Sequence, residues 1–486
     1  MMMLDEEQRK RRKNNLGMVT SVADQFAKLP DELAVKILSR SATTLNEAAR
    51  CSSLLGKLWR YMWQLIDCAV LDFEKLDGDV TPEAQRRFVN QVDQAISLLE
   101  QSKTRLDGLR IGFKLLNMEE AGWRWIRFGL TARVKRLTLL SYFSRIWCPH
   151  GRNEIPVPLF TPEFLHTQDL SRLEVLEFQG VSEIPRGTLD HLFSHCPSLQ
   201  HLSLDNCTFH DKDTVLRVCC PNNRKFQRLT FNFPEFDHNI SRIEVLSAPG
   251  LHSLEVRGAE YIPWFEFGDD IAQLQELRFC NQGLCGLLQD CYFPWSRSQF
   301  NKFAPRLQLF KYDLVTYNFD PASNRCPDWL QFEKLTVLDL TIYIYHTRGS
   351  SMLEVTALLR AAPLLRQLSI SFLHAFGYTI WKDRAEESAA AATWKHHSLQ
   401  LLQLHGVHPS NKKQFLDPRK PQMQLAAYII LNSPSLNQVL VDTRNLGSTT
   451  PREPHEVDAL VSGARMELES RLHSHTATSQ ICFTYR

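Results

Sequence analysis

CPSLQHLSLD, residues 196–205, carries Leu199, Leu202 and Leu204 in an L-x-x-L-x-L phrase behind Pro197. The last two leucines are two positions apart, the spacing at which side chains share one face of a strand. His201, Ser203 and Asp205 then share the opposite face. The phrase returns behind Pro249 (Leu251, Leu254, Val256), Pro363 (Leu365, Leu368, Ile370) and Pro434 (Leu436, Val439, Val441). Looser copies start at Leu106, Val134, Leu173, Phe226, Leu274, Leu307, Leu335 and Leu399, so twelve phrases fall between Leu106 and Leu436. They lie 23 to 39 residues apart, about 30 on average, at the upper edge of the leucine-rich repeat range.

Helical runs stand before the sharper copies, MLEVTALLRAA before Pro363 and QLAAYIILNS before Pro434. A proline ends a helix and favours extended backbone before it. Each unit is therefore predicted to alternate helix and strand. Since no unit buries its apolar face alone, stacking gives an α/β solenoid with a curved parallel sheet inside and helices outside. Twelve strands about 4.8 Å apart make a face roughly 50 Å long, a size suited to a protein partner.

Composition agrees with a folded chain. Of 486 residues, 43% are hydrophobic and 23% charged, which excludes wholesale disorder. Fifty-six Lys and Arg stand against 54 Asp and Glu, and the formal charge of +2 leaves no broad basic field for nucleic acid. The start, MMMLDEEQRKRRKNNLG, lacks an apolar core, and no apolar run reaches the ~18 residues of a membrane helix. Neither secretion nor membrane spanning is expected. Twelve cysteines are too sparse for a disulfide scaffold, and Cys51, Cys196 and Cys207 sit where small buried residues belong. The expected location is nucleus and/or cytoplasm, and the basic run 9–13 is a candidate import signal.

Ahead of the repeats, FAKLPDELAVKILSR (26–40) has Pro30 suited to a first helical position and Asp31 and Glu32 at the positive end of the helix dipole. Leu33, Ile37 and Leu38 follow at helical spacing. Asn46 caps a second predicted helix, Gly56 ends it, and Trp59 and Trp63 lie four apart on a third. Three short helices leave apolar surface for a partner. This order, L-P-x-E-L-x-x-x-I-L and then W-R-x-x-W, resembles the F-box of plant F-box proteins that continue into leucine-rich repeats. Residues 395–445 resemble the FBD region that closes many of them: a strand phrase, a basic polar loop, a helix, then P-x-L-x-x-L/V and an Asp-x-Arg end.

The predicted organisation is a polar tail (1–24), a three-helix F-box (25–70), a helical connector (71–104), an irregular leucine-rich repeat array (105–445) and a C-terminal linker (446–486) with a capping helix near Val457 to Leu472. The resemblance implies a non-catalytic substrate-recognition subunit of an SCF-type cullin-RING ubiquitin ligase. Its F-box would dock a Skp-type adaptor, and through it the cullin and RING subunits, using Leu29, Pro30, Leu33, Ile37, Leu38, Trp59 and Trp63. Two other readings remain open: a leucine-rich repeat scaffold independent of ubiquitin ligase, and a small-molecule-sensing F-box receptor.

Substrate recognition is expected on the concave strand face, at Glu177, His201, Ser203, Asp205, Glu255, Arg257, Asp339, Gln367, Gln403, His405 and Gln438. No phosphate loop, nucleophile elbow or H-E-x-x-H is present, and neither a catalytic residue nor a cofactor is expected. The gaps in Cys280, Cys285 and Cys291 match no usual zinc pattern, so no metal is expected. His396 with His397, and His473 with His475, read as solvated loop histidines.

Overall fold

The protein is described by a computed structural model covering residues 30, 32–33, 35–36, 69–75, 81–102, 106–113, 119–141, 155–156, 162–182, 184–185, 187–209, 214–233, 240–258, 264–271, 273–281, 302–316, 331–344, 353–374, 395–406, 419–442, 462 and 482–485. It divides into two units, Met1–Asp211 and Lys212–Arg486.

The first unit holds strands β1 (Ala69–Lys75), β2 (Leu106–Phe113), β3 (Arg136–Ser141), β4 (Ile155–Pro156), β5 (Val175–Gln179), β6 (Val181–Ser182) and β7 (His201–Asp205). Among the described residues its helices include α1 (Pro82–Ser102), α2 (Glu119–Thr131), α3 (Pro162–His166) and α4 (Thr188–His195), and residues 32–33 and 35–36 are also helical. The ladder runs β1-β2-β3-β5-β7, parallel throughout, and β4 pairs with β6 beside it. Helix α1 forms where the amphipathic pattern predicts: Phe88, Val92, Ile96 and Leu99 recur on one buried face, and Thr81 Oγ1 accepts the Ala84 amide at 3.2 Å as a cap. Phe88 meets Trp125 of α2 edge-on at 6.0 Å, while Trp125 Nε1 donates to Asp93 Oδ1 at 2.8 Å, so the buried indole keeps its polar end satisfied.

The second unit holds β8 (Thr214–Cys219), β9 (Arg228–Phe233), β10 (Ile240–Ser247), β11 (Ser253–Gly258), β12 (Trp264–Asp270), β13 (Glu276–Asn281), β14 (Leu309–Thr316), β15 (Val337–Ile344), β16 (Gln367–His374), β17 (Leu401–His405), β18 (Gln438–Asp442) and β19 (Cys482–Tyr485), with helices α5 (Leu353–Ala361) and α6 (Arg419–Leu431). Its main ladder runs β9-β11-β13-β14-β15-β16-β17-β18-β19, again parallel.

All twelve phrases become strands of these ladders. The first apolar position of each, from Leu106 to Leu436, is at most 5% exposed. The following two stack in register on their neighbours, as in Leu338, Leu368, Leu402 and Val439. Each buried leucine contributes roughly 1.5–3 kcal/mol. Before each sharp copy the chain makes the same β-turn. The amides of Leu199, Leu251, Leu365 and Leu436 donate to the carbonyls of Cys196, Ala248, Ala362 and Ser433 at 3.0–3.1 Å, with proline second in the turn.

Three features depart from the expected organisation. The helix-and-strand alternation fails between Thr214 and Asp270, where the return leg of each unit is a strand. There β8, β10 and β12 form a second parallel sheet, interleaved along the chain with β9, β11 and β13. The cause is local, because TVLRVC and ISRIEVLS alternate with period two: Leu216, Val218, Ile243 and Val245 are buried while Arg217 and Arg242 are exposed. A strand return leaves room that phenylalanines fill; Phe265 meets Phe279 at 5.9 Å and Phe267 meets Phe303 at 4.8 Å. Strand β1 straddles the expected boundary at residue 70, where a helical connector was predicted to begin, and β19 lies in the C-terminal segment. Of the expected capping helix only Ser462, itself helical, is within the described residues.

Candidate functional site

The ladders place their polar residues in rows because strands pair in register and side chains alternate. In the first unit Asp72, Arg110, Thr138, Glu177 and Ser203 stand side by side on β1, β2, β3, β5 and β7. Arg110 Nη1 lies 3.2 Å from Asp72 Oδ1, and Thr138 Oγ1 donates to Glu177 Oε2 at 3.0 Å. His201 Nδ1 is 3.5 Å from the other Glu177 oxygen. Asp205 pairs with Gln179 in the next row.

The second unit repeats the arrangement with Thr230, Glu255, Arg278, Lys311, Asp339, Ser369 and Gln403 in one row. Arg257 Nε donates to Glu255 at 2.7 Å and Lys311 Nζ lies 3.5 Å from Asp339 Oδ2. Gln367 Nε2 donates to Gln403 at 3.5 Å, and His405 Nδ1 is 3.6 Å from the buried Asp442. Each row mixes cations, carboxylates and uncharged polar groups, with Arg278 and Lys311 side by side between Glu255 and Asp339, so neither row presents one sign of charge. The more exposed of these pairs contribute little to stability. Together they present a set of oriented donors and acceptors.

Every residue predicted for substrate recognition stands on these strands. Glu177, His201, Ser203 and Asp205 belong to the first unit, and Glu255, Arg257, Asp339, Gln367, Gln403, His405 and Gln438 to the second. Asp72, Arg110, Thr138, Thr230, Arg278, Lys311 and Ser369 share their rows and were missed, although each holds an outward position of a repeat phrase or, for Asp72, of an unread strand. Among the expected adaptor contacts Pro30 is exposed and Leu33 is 48% exposed, its amide donating to the Pro30 carbonyl at 3.0 Å. Leu29, Ile37, Leu38, Trp59 and Trp63 lie outside the described residues.

Comparison with known proteins bears on what the ladders belong to. No protein-family model matches the chain. An F-box/FBD/LRR-repeat protein of Arabidopsis thaliana is 26% identical over 220 residues, covering 42% of this chain and 48% of its own. An F-box/LRR-repeat protein of the same plant is 28% identical over 189 residues (39% and 34%), and an FBD-associated F-box protein 23% over 255 (48% and 55%). Over roughly two-fifths to half of its length this chain is similar to F-box/FBD/LRR-repeat proteins. It spans about a third to a little over half of the length of these relatives.

In this chain the stretch read as FBD-like yields β17, α6 and β18. His396 at its start is no solvated loop residue. It is 3% exposed, its Nε2 is 2.9 Å from the Ala362 carbonyl and its Nδ1 accepts the Leu399 amide at 3.1 Å. Burial holds its pKa below the usual histidine value. His397 is exposed as expected, and His473 and His475 lie outside the described residues. Cys196 and Cys207 are buried as predicted, and burial pushes both thiols up to about 12, far from the thiolate a nucleophile needs. Cys51, Cys285 and Cys291 lie outside the described residues, while Cys280 stands on β13. Among the described residues no helix is long and apolar enough to cross a membrane. The histidines the structure does gather are His166, His191 and His195, whose side chains meet in the first unit.

Proposed function

We propose that the chain is a non-catalytic substrate-recognition subunit of an SCF-type cullin-RING ubiquitin ligase. The observation that carries this reading is the conjunction of an F-box-like phrase with relatives named as F-box/LRR-repeat proteins. On this reading residues 25–70 hold the F-box, and Leu29, Pro30, Leu33, Ile37, Leu38, Trp59 and Trp63 divide between the adaptor surface and the motif's own core. The exposure of Leu33 supports a covering partner. The polar rows hold a substrate protein. Their mixed charge favours a folded or mixed-sequence partner over a polyanion. Ubiquitin transfer itself belongs to the RING subunit and its conjugating enzyme, and this chain contributes proximity by raising the local concentration of substrate lysines. Such an assembly works in the nucleus and/or cytoplasm.

The test is co-purification of the full chain with a cognate Skp-type adaptor. The wild type is expected to retain it, and a chain carrying Leu29→Asp with Pro30→Ala is expected to lose it while keeping its circular dichroism spectrum. Equal retention by both would overturn the assignment.

A further inference from the structure

Three histidines that no sequence motif joins meet in the first unit. His166 ends α3, and His191 and His195 lie one turn apart on α4, the i,i+4 spacing that puts two side chains on one helix face. Helices α3 and α4 pack together. One ring nitrogen from each histidine lies within 4.8 Å of the other two. The His191 and His195 rings stack with centroids 3.9 Å apart, and His166 stands edge-on to both at 5.7 and 5.6 Å.

The protonation pattern suits a ligand set. His195 Nδ1 is 3.0 Å from the His191 carbonyl oxygen, which only accepts, so Nδ1 carries the proton and the Nε2 lone pair is left for another use. A backbone carbonyl holding one ring nitrogen so that the other can coordinate is the usual outer-shell arrangement of metal-bound histidine.

We propose that His166, His191 and His195 form a binding site for a divalent transition metal ion, Zn2+ in the first instance, with water as the fourth ligand. Three imidazoles are a borderline-soft nitrogen set that selects zinc, copper or nickel over calcium and magnesium, which require oxygen ligands. Tetrahedral zinc with bonds of about 2.1 Å holds its nitrogens about 3.4 Å apart, so the rings draw in by at most about 1.4 Å. His166 and His195 are exposed, which leaves them room to turn and leaves the fourth position facing solvent. The ion ties the end of α3 to α4, the helix that leads through the Cys196 turn into β7 and its row of His201, Ser203 and Asp205. An ion bound by the folded chain alone stabilises it by mass action.

The experiment uses the full chain, stripped with a chelator, titrated with ZnCl2 at pH 7.5 in a calorimeter and with Co2+ by visible absorption. Expected are a zinc-dependent rise in the thermal midpoint and the d–d bands of tetrahedral cobalt without a thiolate charge-transfer band. His166→Gln and His195→Gln, each checked by circular dichroism, are each expected to weaken binding at least about tenfold, whereas His397→Gln leaves it unchanged. No zinc binding, a thiolate band, or binding unchanged in both variants would overturn the proposal.

Discussion

The imidazole of His396 donates from Nε2 to the Ala362 carbonyl at 2.9 Å, tying the turn before one repeat strand to the turn before the preceding one. In the four sharp phrases a backbone carbonyl receives the leucine amide behind a proline turn. HHSL lacks that proline, and His396 Nδ1 takes the Leu399 amide instead, at 3.1 Å. Because Nδ1 accepts, Nε2 must be the protonated nitrogen, and the neutral ring satisfies both neighbours. A second proton would put a donor against the Leu399 amide.

Stability around β17 should therefore depend on pH. Burial lowers the His396 pKa below the 6.5 of the unfolded chain, so the unfolded state binds more protons as pH drops. The contribution is fully present above about pH 6.5 and is lost as pH falls from there toward the folded value. His396→Gln should cost about 1–3 kcal/mol at pH 7 through its two lost hydrogen bonds and should flatten the decline between pH 7.5 and 5.5. Amide exchange of residues 401–405 at several pH values measures both, and parallel declines would contradict the assignment.

Gly268 lies where β12 passes β10 beside a register shift. A Cβ there would come within 1.9 Å of the Leu246 carbonyl oxygen, which is backbone and cannot swing aside. Gly268→Ala is expected to destabilise the second unit by more than about 2 kcal/mol. Faster amide exchange in β10 and β12, with α1 and α2 unchanged, is the signature.

Glu244 on β10 is only 9% exposed and serves two cations, Arg217 at 3.0 Å and Arg242 at 3.1 Å. Glu244→Gln keeps the shape and removes the charge. The guanidiniums are half exposed and regain water, so the expected loss is moderate, about 1–2 kcal/mol. Raised salt should narrow the difference from wild type, as a denaturant series at low and high ionic strength can show.

Thiol reactivity should follow burial. Cys196, Cys207 and Cys220, each held near 12 by burial, are expected to resist an alkylating reagent at pH 8 in the folded chain, and the neighbouring exposed Cys219 to label first. Peptide mapping by mass spectrometry gives the order.

Substrate capture should depend on the polar rows. Replacing Glu177, His201 and Asp205 together, or Glu255, Arg257 and Asp339 together, by alanine is expected to lose at least tenfold of substrate recovery while adaptor binding persists. Mass spectrometry of captured proteins, with intact and substituted chains side by side, reads both outcomes.

Much of this architecture was legible because a strand's two faces are written two residues apart. Leu202 and Leu204 point inward and His201, Ser203 and Asp205 outward whichever neighbour β7 acquires. The same phase placed the predicted recognition residues on their strands. The return strands differ from the expected helices because TVLRVC and ISRIEVLS alternate with period two, unlike the helical runs before Pro363 and Pro434. His396 was misread for another reason: its role exists only through Ala362, 34 residues earlier.

The sequence by itself determined the twelve apolar phrases, their inward phase and the mixed charge of the opposite face, all properties of residues within one strand length. Only the tertiary structure decided which cation meets which carboxylate, as Lys311 meets Asp339, and that His166 joins His191 and His195. Those meetings depend on how segments about 25 or more residues apart stack in register. Stacking is driven by apolar burial, which is non-directional, so it brings polar side chains together without any local pattern announcing which ones.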